Sequence, residues 1–289
     1  MTKPSLSMGR INYINASPVY YGLDNGLLPD WIEMTDGAPS VLNRMIKEEK
    51  LEISPVSAAF YGMNHKELLV LPDLSISCDG RVMSVVLVSR YPLEQLDKKQ
   101  VVLTSESATS TALVQLFFAE QGILPFFTTT RLHCLEDIPD NTDAALVIGD
   151  AALTQPWERT FEYRIDLGEL WQQLTGLPFV FALWVVRRSH ARNNPQAVQQ
   201  ALELFHRSRQ QGYANIDKVI DTGAEKLNLD RGLVQTYYDL LFCDLDEKKV
   251  AALELYFAML YKNRIFADKV AVEFFSEPWN VRSVHGPGQ

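Results

Sequence analysis

The spacing of apolar residues along the chain keeps two rhythms up to about residue 187 and one thereafter. Ser7 to Ile14 reads as a first strand, and Pro18 opens a short helix because its fixed φ suits a first helical turn. Pro39 repeats that signal for a helix reaching about Glu48. Leu51 to Ile53 then reads as a strand, Ser54 to Ser57 as a turn, Ala58 to about His65 as a helix and Leu68 to Pro72 as a buried strand. The β-branched run Met83 to Ser89, closed by Pro92, and Gln100 to Thr104 predict further strands. A helix over Ser110 to Gln121 and strands near Thr128 to Leu132 and Ala144 to Ile148 follow. This alternation predicts an α/β fold. Phe179 to Arg187 is the most hydrophobic strand-like run. Beyond it, Pro195 to Gln211, Ile216 to Leu227, Asp230 to Leu241 and Glu247 to Asn263 all space their apolar positions by three and four, as helices do.

At 289 residues the chain exceeds the size at which one core usually stops growing, so two lobes around a cleft are expected. The long apolar strands near residues 86 and 184 flank a middle segment that can close on itself. The expected division is 1–87 with 185–289 as one lobe, including the C-terminal helices, and 88–184 as the other. A 47% hydrophobic content argues against disorder.

The net charge of −9, with no basic stripe, argues against a nucleic-acid partner. A small anion remains compatible, because backbone amides act locally. Cys78, Cys134 and Cys243 stand far apart and signal neither a disulfide framework nor a zinc site. His65, His133, His190, His206 and His285 are scattered without metal-site spacing, so no metal is expected. Met1 to Arg10 lacks the apolar stretch of a secretory signal, and no apolar run is long enough for a membrane span. A cytoplasmic protein with no membrane partner is expected.

The residues available for chemistry are mostly uncharged donors. Three stretches put small polar residues or glycine beside apolar runs: Asn12 to Pro18, Cys78 to Ser84 and Thr175 to Phe181. That is the composition of a pocket that hydrogen-bonds a small polar ligand. Asn15 lies near the carboxyl end of the first strand, where open α/β sheets place ligand contacts; it also suits an Asx turn before Pro18. Ser54 and Ser57 occupy an equivalent position with the same alternative. Ser105 to Ser110, between a strand and a helix, reads as a carboxylate or phosphate cradle or as a plain N-cap. Gly149-Asp150 either aims a carboxylate into the cleft or caps the helix that follows. The GxSxG, Walker and GxGxxG motifs are missing, which weakens hydrolase, nucleotidase and dehydrogenase readings.

Taken in order, Tyr13 to Pro18, Ile53 to Ser57, Cys78 to Val85, Ile148 to Leu153, and Asp166 to Gly168 with Thr175 to Ala182 resemble the chorismate dehydratases of the futalosine route to menaquinone. The matches run from about residue 8 to about residue 188, and the helical tail matches in character only. The resemblance implies a type II periplasmic-binding-protein fold with a central cleft. It also implies conversion of chorismate to 3-[(1-carboxyvinyl)oxy]benzoate by loss of water, with no metal or organic cofactor. It carries a catalytic role onto Asn15 and Ser84, and substrate contacts onto Ser57, Ser107, Thr109 and Ser110, with Gly149 beside them. The proton acceptor stays open between Asp150 and a carboxylate of the substrate itself. A related enzyme of the same pathway makes 1,4-dihydroxy-6-naphthoate with a histidine base after a strand of its second lobe, where this chain reads Ile148-Gly149-Asp150-Ala151. The other alternative is a non-catalytic protein that captures a small carboxylate.

Overall fold

The structure is a computed structural model that describes residues 6–276; His285 lies outside them. Its strands are β1 (Leu6–Ile11), β2 (Ile32–Gly37), β3 (Ile53–Ser57), β4 (Leu68–Cys78), β5 (Val85–Ser89), β6 (Gln100–Thr104), β7 (Phe126–Thr130), β8 (Ala144–Ile148), β9 (Tyr163–Asp166), β10 (Phe179–Arg187) and β11 (Leu241–Phe242). The helices between them are α1 (Ser17–Gly22), α2 (Pro39–Lys47), α3 (Ala58–Met63), α4 (Ala108–Gln121), α5 (Gly149–Thr154) and α6 (Leu167–Thr175). The tail is α7 (Arg188–Asn193), α8 (Pro195–Ala214), α9 (Ile216–Leu227), α10 (Arg231–Asp239) and α11 (Glu247–Lys262).

The strands form two sheets, one ordered β11-β4-β10-β3-β1-β2 and one ordered β7-β6-β8-β5-β9. Period-two alternation sets what the second sheet buries on each face. On β5 and β8, Val85, Leu87, Ala144, Leu146 and Ile148 join the large core that also fills the first sheet. Val86, Val88, Ala145 and Val147 pack on the opposite face with Trp157 and Phe161. One apolar core therefore runs through both sheets and leaves its cavity where their polar loop ends meet.

The chain crosses between sheets within 79–84 and returns within 167–178. The expected divisions at 87/88 and 184/185 fall inside β5 and β10 instead. Val85 to Ser89 pairs with β8 and Val86 to Ser89 with β9, while β10 pairs along β4 from Phe179 to Arg187 and with β3 from Ala182 to Val186.

Ser54 to Ser57 was expected as a turn and is strand. Pro55 is tolerated there because the ladder to β1 ends at the Met8 to Ile53 pair, leaving that edge of β3 without a hydrogen bond to lose. β4, expected to stop at Pro72, continues to Cys78 past a kink at Asp73 (φ 57°), where Arg209 of α8 grips both the carbonyl and the carboxylate at 2.5 Å. The tail helices cover the first sheet. α8 lies so close to α1 that a Cβ on Gly212 would sit 2.1 Å from the Pro18 carbonyl oxygen, and Tyr20, Trp184 and Phe205 form the aromatic contact beneath.

Candidate active site

A cavity of about 560 Å³, counting its mouth, opens where the two sheets meet. Its apolar walls include Ile11, Ile76, Val85, Ile148 and Phe181, and its polar lining includes Asn15, Ser57, Ser84, Ser107, Ser110 and Glu106. That mixture of apolar walls and convergent polar groups suits a small organic ligand.

Asn15 sits in the tight turn between β1 and α1, whose backbone is clamped from two sides. The N–H of Ile14 donates to Asp150 Oδ1 at 3.3 Å, and the Ile14 carbonyl accepts the Tyr238 hydroxyl at 2.8 Å. Ser84 ends the first crossing and is 2% exposed. The Tyr237 O–H donates to its Oγ at 2.8 Å, and its carbonyl accepts the Gly149 N–H at 2.7 Å. Burial pushes the Tyr237 hydroxyl well above its ordinary pKa, so it stays a donor. With its oxygen accepting from Tyr237, Ser84 keeps its own proton for another partner.

The crossing is held in place by Asp166. Its carboxylate accepts the N–H of Val82 at 3.1 Å, of Met83 at 2.7 Å, of Gly168 at 3.0 Å and of Glu169 at 3.2 Å. One buried side chain thus caps α6 and fixes the turn before Ser84. Met83, in a left-handed conformation (φ 64°), also gives its carbonyl to Arg164 at 2.9 Å.

The remaining expected residues divide. Ser57 and Ser107 are the N-caps of α3 and α4 and line the cavity as well, as does Ser110. The cradle and the cap are the same residues. Gly149 lines the cavity in a left-handed turn (φ 62°), and a Cβ there would lie 3.1 Å from the Tyr13 ring.

Thr109 and Asp150 are not among the residues that line the cavity. Successive residues of a helix point about 100° apart, so Thr109 faces α3. There it is fully buried, and its hydroxyl accepts the Ala59 N–H at 2.8 Å. Asp150 does not cap α5, because its carboxylate is taken by Ile14 instead; burial raises its pKa, an effect that this N–H opposes. The Thr175 to Pro178 stretch is also outside the lining. Gly176 ends α6 in the left-handed conformation, and it is Phe181 and Ala182 beyond it that reach the cavity.

Sequence reading missed Tyr13, Tyr237 and the role of Glu106. The Tyr13 O–H donates to Glu106 Oε2 at 3.2 Å, and burial first, then the Glu106 charge, raises its pKa. Tyr237 carries no local signal, because only the fold brings α10 to Ser84. Among the described residues, no cluster of His, Cys, Asp and Glu is arranged to hold a metal ion.

The profile of a family described as menaquinone biosynthesis matches residues 6–262. The chain belongs to that family. A chorismate dehydratase of Thermus thermophilus is 33% identical over 245 residues, covering 80% of this chain and 86% of that protein. A 1,4-dihydroxy-6-naphtoate synthase of the same organism is 24% identical, covering 84% and 89%. Among solved structures, the periplasmic aliphatic sulphonate binding protein SsuA of Escherichia coli superposes with a TM-score of 0.62 at 15% identity, covering 100% of this chain and 96% of that one. The fold of this family member is therefore that of the periplasmic binding proteins: two α/β lobes with the cavity between them. Among the described residues no helix is long and apolar enough to cross a membrane.

Proposed function

We propose that the protein is a chorismate dehydratase, a hydro-lyase that converts chorismate to 3-[(1-carboxyvinyl)oxy]benzoate and water in menaquinone biosynthesis by the futalosine route, acting in the cytoplasm. The observation that carries this reading is the meeting of Asn15 and Ser84 in one cavity, with Tyr237 of α10 on the Ser84 hydroxyl and Tyr238 on the Ile14 carbonyl beside Asn15.

The reaction removes the hydrogen at the ring carbon bearing the enolpyruvyl ether and the hydroxyl on the next carbon. The gain of aromaticity drives it, so the protein needs chiefly to orient the ring and stabilise the departing oxygen. In this reading the Ser84 hydroxyl, relayed from Tyr237, and the Asn15 amide grip the ring hydroxyl and the enolpyruvyl group. The first turn of α4, at Ser107 and Ser110, holds a carboxylate with the help of the helix dipole.

Asp150 acts as a positioning residue for the Asn15 turn, because its carboxylate is committed to Ile14 outside the cavity lining. Glu106, the one carboxylate of the lining, is engaged by Tyr13. A carboxylate of the substrate then accepts the proton, which combines with the departing hydroxide as water. The lobes in this proposal are 6–78 with 179–276, and 85–166, closing about the crossings at 79–84 and 167–178.

The naphthoate-forming alternative is disfavoured by the absence, among the described residues, of any histidine from the cavity lining and by the lower identity of that relative. Incubating the purified protein with chorismate tests the proposal. An aromatic absorbance band and a product lighter by one water are expected, whereas binding without a spectral change would leave only the carboxylate-binding alternative.

A further inference from the structure

Among the described residues the cavity lining contains no lysine, arginine or histidine, and its one formal charge is the Glu106 carboxylate. On the proposed reading a ring with two carboxylates must enter this hollow. Desolvating each of them costs several kcal/mol unless charge or strong hydrogen bonds offset it. Hydroxyls and one helix terminus offset only part, and Glu106 adds repulsion. A cation must therefore stand within reach of the lining.

Two basic side chains do. Arg131 Nε lies 3.9 Å and His133 Nε2 3.7 Å from Glu106 Oε1, while Oε2 takes the Tyr13 hydroxyl. The placement follows from the chain. Leu132 is buried in the outer core of the second sheet, while its neighbours Arg131 and His133 both approach Glu106. The Ser105 N–H donates to the Thr130 carbonyl at 2.8 Å, tying the loop after β7 to the loop after β6 that carries Glu106. Asp137 takes the N–H groups of His133 at 2.7 Å and Cys134 at 3.1 Å, fixing the far end of the segment. The Glu106 side chain is only 4% exposed, whereas those of Arg131 and His133 are 62% and 56% exposed. Exposed ion pairs contribute little, so burying a carboxylate merely to hold one would cost more than it returns. A carboxylate that lines the cavity and also pairs with a guanidinium sets that cation beside the cavity, which is a use.

We propose that Arg131, held by Glu106 and flanked by His133, is the seat of one substrate carboxylate at the cavity mouth, complementing the α4 terminus that takes the other. The exposed face of the guanidinium offers paired N–H groups in the planar geometry that a carboxylate matches. Glu106 keeps the pair near neutrality, so the seat binds without attracting anions indiscriminately.

This inference rests on the dehydratase reading, and its test is separable from it. Steady-state kinetics with chorismate on wild type, Arg131→Met and Arg131→Lys should show KM raised about tenfold or more in the methionine variant, with kcat within about threefold, and partial recovery in the lysine variant. The wild-type KM should also rise with salt, and that of Arg131→Met much less. A methionine variant with wild-type KM, or with lower kcat at unchanged KM, overturns the proposal. Should the wild type not turn chorismate over, the function fails first. Calorimetric binding of benzene-1,3-dicarboxylate then decides the seat: weaker binding by Arg131→Met sustains it, and equal binding ends it. The exposure of Arg131 makes misfolding of these variants a minor concern, and thermal melts of both check it.

Discussion

Along the covalent crossing at 82–84, Asp166 holds two backbone N–H groups, Arg164 a carbonyl, Tyr237 the Ser84 hydroxyl and Gly149 the Ser84 carbonyl. Across the non-covalent seam at Tyr13, the sheets meet through one 3.2 Å hydrogen bond to Glu106 and one 3.3 Å bond from Ile14 to Asp150. The first seam is over-determined and the second is light. Ser84 is therefore held more firmly than the Tyr13 turn, and the polar lining is shared across the seam, with Asn15 and Ser57 on the first-sheet side and Ser107 and Ser110 on the second-sheet side.

The largest way to break this comparison is Asp166→Ala. It leaves the N–H groups of Val82, Met83, Gly168 and Glu169 without their acceptor, and about 3 kcal/mol or more of stability should go, read by chemical denaturation. A loss under about 1 kcal/mol would mean the crossing is not clasped as described. Ser84→Ala and Asn15→Ala should each lower kcat by about a hundredfold, the size of losing one oriented donor; unchanged turnover in either removes that residue from the chemistry. Tyr237→Phe deletes only the hydroxyl behind Ser84 and should cost about tenfold in kcat and about 1 kcal/mol.

Smaller effects belong to residues that join the lobes away from the lining. Thr109→Val keeps the shape but leaves the Ala59 N–H unpaired, so about 1 to 2 kcal/mol of stability should be lost with kcat nearly unchanged. A large kcat loss would restore Thr109 as a substrate contact. Asp150→Asn should change least, because an amide oxygen still accepts from Ile14 and the variant removes a buried charge. The Asp150 pKa is raised in the fold, so its contribution is present below the unfolded value and lost as pH rises through the folded one. The variant should thus gain stability relative to wild type at neutral pH and lose that advantage in acid, which melting curves across pH would follow.

Much of this was legible in the sequence because local signals agreed with tertiary placement. β6, β8, β10 and α9 fall where periodicity put them, and Asn15, Ser57, Ser84, Ser107, Ser110 and Gly149 do share one cavity. What escaped was set by long-range contact. Ser54 to Ser57 reads as a turn because proline normally excludes a strand, and only the short β1 ladder removes the objection. Thr109 lies beside two genuine lining residues and differs from them only in helical phase. β2 and β9 escaped because such short, half-exposed stretches carry little periodicity.

Tyr237 and Tyr238 are consecutive residues of α10, a helix outside both sheets, and one reaches Ser84 while the other reaches the carbonyl of Ile14, next to Asn15. Adjacent rungs of a rigid rod thereby gauge the gap between the two groups proposed to straddle the substrate. That gauge fixes their spacing, so the tail helices set the alignment although they supply none of the reacting atoms.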